Sequence, residues 1–137
     1  MSIFIDTSAF LALFIPNERE HLQVVAKYQA YRKARARFFT SYYVLDELLT
    51  RLIYDFGKTL TQKTLHLLNL SIEQEELALL DIDPTTFKKA MDIFLKFSEH
   101  KISMTDATTY VLYKDLSLDE IFTLDSDFKK IRANTSC

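Results

Sequence analysis

The sequence predicts an α/β chain, a three-layer α/β/α sandwich around a central, mainly parallel sheet of four or five strands. Three observations lead there. Short apolar runs alternate with longer segments of helical periodicity, the pattern of parallel strands joined by helical crossovers. One Gly and two Pro among 137 residues leave too little turn punctuation for an all-β fold. A 48% hydrophobic composition, with 11 Phe and 7 Tyr in place of the absent Trp, can fill one sizeable core. A single domain over residues 1–137 is expected, with no linker, repeat or low-complexity segment.

The elements follow in order. Ile3 to Ile5 is a short apolar strand ending on Asp6, the composition of a strand buried on both faces. Ser8 to Phe14 is apolar enough for a buried helix, stopped near Pro16. Glu18 to Arg35 reads as a helix with Leu22, Val25, Ala26 and Ala30 on its apolar face. Arg37 to Thr40 is the second strand. Ser41 is placed to cap a helix through Phe56, with Val44, Leu45, Leu48, Leu49, Leu52 and Ile53 facing the core and Gly57 ending it. Thr61 to Leu70 continues as helix, offering Leu65, Leu67 and Leu68, and Leu77 to Ile82 is the third strand. Asp83-Pro84 opens a helix to about Glu99, and Ser103 caps another to about Lys114. Glu120 to Leu124 is the fourth strand, followed by Asp125-Ser126-Asp127-Phe128.

Composition narrows the function classes. The only cysteine, Cys137, is the final residue, which excludes an intrachain disulfide or a thiolate metal cluster and suits a reducing, cytoplasmic setting. No stretch approaches the roughly 20 apolar residues of a membrane span, and no signal-peptide pattern opens the chain. His21, His66 and His100 are scattered without ligand spacing, arguing against an imidazole metal site. A net charge of -2 gives no overall bias toward nucleic acid, though the distribution of charge decides binding.

The acids carry the chemistry. Asp6 follows the first strand, Glu47 lies in the helix after the second, Asp106 in the first turn of its helix, and Asp125 after the last strand. A parallel sheet gathers its sites outside the carboxyl ends of its strands, so all four converge on one edge. Carboxylates crowded together raise one another's pKa unless a cation neutralises them, and a hard ion, Mg²⁺ or Mn²⁺, is the natural partner. Such an ion supports phosphodiester hydrolysis. Each acid also has a structural role open to it. Asp6, Thr7 or Ser8 can cap a helix; Glu47 can pair with Arg51; Asp106 can complete a capping box with Ser103; Asp125 and Asp127 can be turn residues.

Four blocks of sequence, the apolar strand into Asp6-Thr7-Ser8, Val44-Leu45-Asp46-Glu47-Leu48, Ser103-Met104-Thr105-Asp106-Ala107 and Thr123-Leu124-Asp125-Ser126-Asp127-Phe128, resemble in order and spacing the signature blocks of PIN-domain ribonucleases, in particular the VapC-type toxins of toxin-antitoxin pairs. The resemblance spans Ile3 to Phe128. It implies a Mg²⁺- or Mn²⁺-dependent endoribonuclease, with Asp6, Glu47 and Asp106 forming a metal site that Asp125 completes. Thr7 or Ser8, Thr123 and Asp127 would support them, and Asp46 and Asp127 stand as alternatives to their neighbours Glu47 and Asp125. It also implies an RNA substrate, a homodimer, and an antitoxin protein whose tail fills the active-site groove. The tail KKIRANTSC is short and polar, so the closing strand of many relatives is expected to be truncated or missing.

Arg32, Lys33, Arg35 and Arg37, interleaved with Tyr28 and Tyr31, form a candidate RNA contact, with Arg51 nearer the acidic helix; charge runs are usually just surface, and a solvated helix face with its tyrosines half buried is the simpler reading of the stretch. Two other functions compete with the nuclease: a catalytically inactive binding module of the same fold, and an α/β phosphatase using Asp6 as phosphoacceptor. The second usually needs an acid two residues on, where this chain has Ser8.

Overall fold

The computed structural model describes residues 1–131 together with Ala133 and Thr135. Four strands, β1 (Ser2–Ile5), β2 (Arg37–Ser41), β3 (Leu77–Leu80) and β4 (Glu120–Phe122), form one sheet of order β3-β2-β1-β4, and every pairing is parallel. Seven α-helices flank it: α1 (Thr7–Phe14), α2 (His21–Lys33), α3 (Tyr42–Phe56), α4 (Lys58–Glu73), α5 (Pro84–Lys96), α6 (Met104–Asp115) and α7 (Asp127–Lys130). The expected α/β architecture is therefore observed.

The order of strands positions the site. From β1 the chain adds β2 and then β3 on one side, and β4 returns to the other side of β1. Connections leaving the carboxyl ends of β1 and β4 diverge, which opens a crevice there, the usual ligand position in an open parallel sheet. Asp6 stands at the end of β1 and Thr123 at the end of β4, and the Asp6 amide donates to the Phe122 carbonyl at 3.0 Å to close the ladder between them. Ile3, Phe4, Ile121 and Phe122 are buried within these two strands and Phe128, Leu48 and Leu52 are buried elsewhere in the same core, which explains why β1 carries no polar alternation.

Strand and helix ends depart from the sequence expectation for identifiable reasons. β3 stops at Leu80 because its partner Ser41 is the last strand residue of β2, and β4 stops at Phe122 because Ile5 ends β1. The apolar face of α2 is Val24, Tyr28 and Tyr31, with Leu22 82% exposed, so the expected Leu22-centred face is corrected: aromatic bulk packs against Phe38 and Phe122. Ser41 caps α3 as expected, accepting from the Val44 amide at 3.2 Å, and Gly57, at φ 90°, ends it as expected, while α4 begins at Lys58, three residues before the expected Thr61. α5 ends at Lys96 and a 3₁₀ turn follows over Ser98–His100. The short helix α7 occupies what reads in sequence as a turn. Of a closing strand, a single parallel bridge from Ile121 to Thr135 is present; Arg132, Asn134, Ser136 and Cys137 lie outside the described residues.

Candidate active site

Asp6 occupies the N-cap position of α1, yet its side chain makes no cap bond. Its carboxylate instead accepts from Thr123 Oγ1 at 2.9 Å, reaching across from the end of β4. Ser8 Oγ lies 3.1 Å from Thr123 Oγ1 and accepts from the Leu124 amide at 2.9 Å, while Thr123 Oγ1 accepts from the Asp125 amide at 3.0 Å. The first and last strands are thus stitched by hydroxyls at the level of the carboxylate. Of the two hydroxyls following Asp6, Ser8 makes these bonds, whereas buried Thr7 Oγ1 has no hydrogen-bond partner among the described residues.

Burial dominates the electrostatics of Asp6. Only 4% exposed, its carboxyl is pushed from 3.8 up to about 7 by loss of water, then by the charge of Asp106 and, less, of Glu47, against the bonds from Thr123 and the Thr7 amide. Asp106 is raised to about 6 by burial and by the charges of Asp125 and Glu47, although Ser103 pulls it down. That pull is the capping box: the Ser103 amide donates to Asp106 Oδ2 at 3.1 Å and Ser103 Oγ accepts from the Asp106 amide at 3.0 Å. Asp106 therefore caps α6 and faces the other acids at once. Glu47, half-buried on α3, is felt by both aspartates; its neighbour Asp46 is exposed and acts on neither.

Asp125 is raised by burial and by the charge of Asp127, while its Oδ1 accepts from the Asp127 amide at 2.8 Å. Asp127 goes the opposite way: Lys130 Nζ pairs with its Oδ1 at 2.8 Å and holds its carboxyl below the ordinary value. The two acids two residues apart are thereby distinguished. Asp125 charges Asp106, and Asp127 is engaged by a lysine that sequence reading passed over; its i,i+3 spacing was the available signal, hidden because no helix was expected there.

Asp106 and Glu47 act on Asp6, and Asp125 and Glu47 act on Asp106, but among the described residues no three His, Cys, Asp or Glu side chains stand as a ready group around one ion. A donor set of raised carboxylates fits a hard cation that keeps part of its water shell, since a bound positive charge would relieve the repulsion. The basic stretch lies elsewhere. Arg37 opens β2 opposite Ser2, so Arg32, Lys33, Arg35 and Arg37 gather at the amino ends of the strands, across the sheet from Asp6. There Arg32 stacks over Tyr28 at 5.9 Å and Arg37 over Phe39 at 5.5 Å. Arg51, exposed on α3 one turn beyond Glu47, is the member of the set on the helix that carries a site acid.

Comparison with known proteins identifies the family and the fold. No curated protein sequence matches the chain. VapC20 of Mycobacterium tuberculosis, a sarcin-ricin loop cleaving toxin, is 19% identical with a TM-score of 0.80, over 96% of this chain and 95% of that one. VapBC2 of Rickettsia felis, bound to a DNA fragment from its promoter, is 14% identical with a TM-score of 0.72, over 99% and 98% of the two chains. DNA-bound VapBC of Salmonella typhimurium is 16% identical with a TM-score of 0.68, over 100% and 99%. These likenesses concern the fold. The family model described as PIN domain matches residues 3–134, nearly the whole chain, and the protein belongs to that family.

Proposed function

We propose that this chain is a Mg²⁺- or Mn²⁺-dependent endoribonuclease, the toxin of a toxin-antitoxin pair, acting in the cytoplasm as a homodimer and restrained by a cognate antitoxin protein. The observation that carries the reading is the elevation of two neighbouring acids by burial and by acidic charge: Asp6 to about 7, with Asp106 and Glu47 adding to burial, and Asp106 to about 6, with Asp125 and Glu47 adding to burial. Acids held together against their own repulsion are a costly arrangement for a structural role and a useful one for holding a cation. A cleaving toxin and two DNA-bound VapBC assemblies among the structural relatives support the toxin and antitoxin assignments.

In this reading Asp6, Glu47, Asp106 and Asp125 would hold the ion, which when bound would polarise a water and offset charge on the scissile phosphate. Thr123 and Ser8 fix the Asp6 carboxylate, and Asp127, anchored by Lys130, orients the Asp125 loop. A carboxylate of the cluster takes the proton of the attacking water, whose oxygen bonds to phosphorus as the P–O3′ bond breaks. That proton then passes to the departing O3′, leaving a 5′-phosphate and a 3′-hydroxyl. Arg51 is placed to meet a neighbouring phosphate.

Cleavage of RNA with Mg²⁺ or Mn²⁺, comparing the unmodified protein with Asp6→Asn and Asp106→Asn, tests the proposal. Metal-dependent cleavage that both substitutions abolish is the expected result. Undiminished cleavage by the two folded variants would overturn the site, and no cleavage by the unmodified protein on any single-stranded RNA would overturn the activity.

A further inference from the structure

Between α5, α6 and α7 lies a basic cavity that, among the described residues, no acid lines. Its volume is about 560 Å³, and its walls are Lys96 and Phe97 at the end of α5, Tyr110 and Lys114 on α6, and Lys130 and Ile131 at the end of α7. Two of the three lysines have no carboxylate partner among the described residues. Lys96 Nζ lies 5.3 Å from the Phe97 ring centre, and Lys114 Nζ 5.8 Å from that of Tyr110 and 6.0 Å from that of Tyr113. Asp115, the acid next to Lys114, is already taken by Lys89 at 3.0 Å. The charges of Lys96 and Lys114 are therefore held on aromatic faces around an open volume, while Lys130 is paired with Asp127.

The cavity is linked to the site through Lys130 and through α6. Lys130 bonds Asp127, whose amide bonds Asp125, and Tyr110 and Lys114 continue the helix that begins with Asp106. From Asp106 to Lys114 α6 rises ~12 Å, on the order of two nucleotides of extended strand. Lysines answer phosphates, and the half-buried faces of Tyr110 and Phe97 answer unpaired bases, a combination suited to single-stranded nucleic acid.

We infer that the cavity between α5, α6 and α7 binds the phosphate backbone of the RNA strand flanking the scissile bond, with Lys96 and Lys114 as its principal contacts. The inference deepens the ribonuclease reading and rests on it for the identity of the strand. It assigns substrate holding to residues apart from the basic stretch at the amino ends of the strands, which lies across the sheet.

The test is fluorescence anisotropy with a labelled single-stranded RNA oligonucleotide in chelator, so that binding is read without cleavage, for the unmodified protein, Lys96→Ala/Lys114→Ala and the control pair Lys63→Ala/Lys88→Ala, two exposed lysines that do not line the cavity. The first pair is expected to weaken binding roughly tenfold and to reduce the slope of log K against log salt by about 1.4, the loss of two phosphate contacts on a single strand. The control pair should leave both unchanged. Unaltered affinity and salt slope in Lys96→Ala/Lys114→Ala would overturn the inference, as would intact RNA binding with lost affinity for an acidic peptide. Cleavage assays in Mg²⁺ separate the two readings. A protein that binds RNA through these lysines but never cleaves it refutes the nuclease and keeps the cavity; one that cleaves with unchanged KM in the double variant keeps the nuclease and refutes the cavity.

Discussion

Thr123 Oγ1 donates to Asp6 Oδ2 at 2.9 Å and accepts from the Asp125 amide at 3.0 Å, so one buried hydroxyl ties the carboxylate that ends β1 to the loop that follows β4. The bond lowers the pKa of Asp6 and so opposes its burial. Thr123→Val keeps the shape and removes both bonds, leaving a buried carboxylate and an amide without their partner. We expect a loss of about 1–3 kcal/mol in stability and a large fall in nuclease rate. Thr123→Ser restores the hydroxyl and should recover most of each, as measured by thermal melting and RNA cleavage. Equal losses in the two variants would mean that methyl packing, rather than the hydroxyl, is what Thr123 contributes.

Substituting the central carboxylate should uncouple stability from activity. Asp6→Asn can still accept from Thr123 through its amide oxygen but has no charge to desolvate, so the metal-free protein should be stabilised, on the order of 1–2 kcal/mol near neutral pH, while cleavage is lost. A melting comparison in chelator checks it. Destabilisation with retained cleavage would make Asp6 a structural residue.

Asp106 holds two roles that a longer acid can separate. A Glu at this position is a favoured capping-box residue, so Asp106→Glu should keep the reciprocal bonds with Ser103 and leave stability within about 0.5 kcal/mol. The extra methylene moves the carboxylate relative to Asp6 and Glu47, and RNA cleavage should fall by roughly 100-fold, since small displacements of positioned groups are costly. Full activity would return Asp106 to a purely capping role.

These two roles show what was legible in the sequence. The alternation of strands and helices and the placing of Asp6, Glu47, Asp106 and Asp125 at one sheet edge follow from apolar runs and parallel topology, whereas the choice of Glu47 over Asp46 and of Asp125 over Asp127 rests on the resemblance to the PIN-domain blocks. Whether Glu47 or Asp46 turns inward depends on the phase of α3 against the sheet, which packing decides. The burial of Asp6 and the hydroxyl stitching by Ser8 and Thr123 join residues more than 110 positions apart, beyond any local pattern. Lys96, Lys114 and Lys130 were passed over for the same reason, being single charges on three helices, whereas the visible run from Arg32 to Arg37 stands at the other edge. The ends of α2, α4 and α5 were misjudged because glycine, the usual marker, is absent from them, whereas Gly57 marked the end of α3.

That absence has a measurable consequence. α2, α4 and α6 each end in the same pair of bonds, such as Ser117 amide to Lys114 carbonyl and Leu118 amide to Tyr113 carbonyl, which place Arg35, Glu75 and Ser117 at φ 57°, 60° and 52°. A side chain in this left-handed region costs about 1–2 kcal/mol, and glycine there costs only its extra freedom in the unfolded chain. Ser117→Gly, exposed and remote from the acids, should therefore stabilise the protein by about 0.5 kcal/mol, or roughly 2 °C in Tm, with RNA cleavage unchanged. A lower Tm would mean that Ser117 contributes contacts outweighing the strain.

The elevated carboxylates also set the response to pH and metal. Asp6 at about 7 and Asp106 at about 6 bind more protons in the folded chain than at their ordinary value of 3.8 in the unfolded one. Stability must then fall as pH rises through the window from about 4 to about 7, because each deprotonation leaves a charge that the fold desolvates and its neighbours repel, and it must level off above that window. The two groups together should contribute on the order of 1–3 kcal/mol to this loss, discounted because Asp106 is partly exposed. A divalent cation reverses the sign of the local field, so millimolar Mg²⁺ or Mn²⁺ should raise Tm near pH 8, where the carboxylates are charged, and have little effect near pH 5, where protons occupy them. Melting curves in chelator and in Mg²⁺ at those two pH values read both effects. A Tm in chelator that climbs from about pH 5 to about pH 8 would contradict the buried cluster, and a metal shift of equal size at both would place the ion away from Asp6 and Asp106.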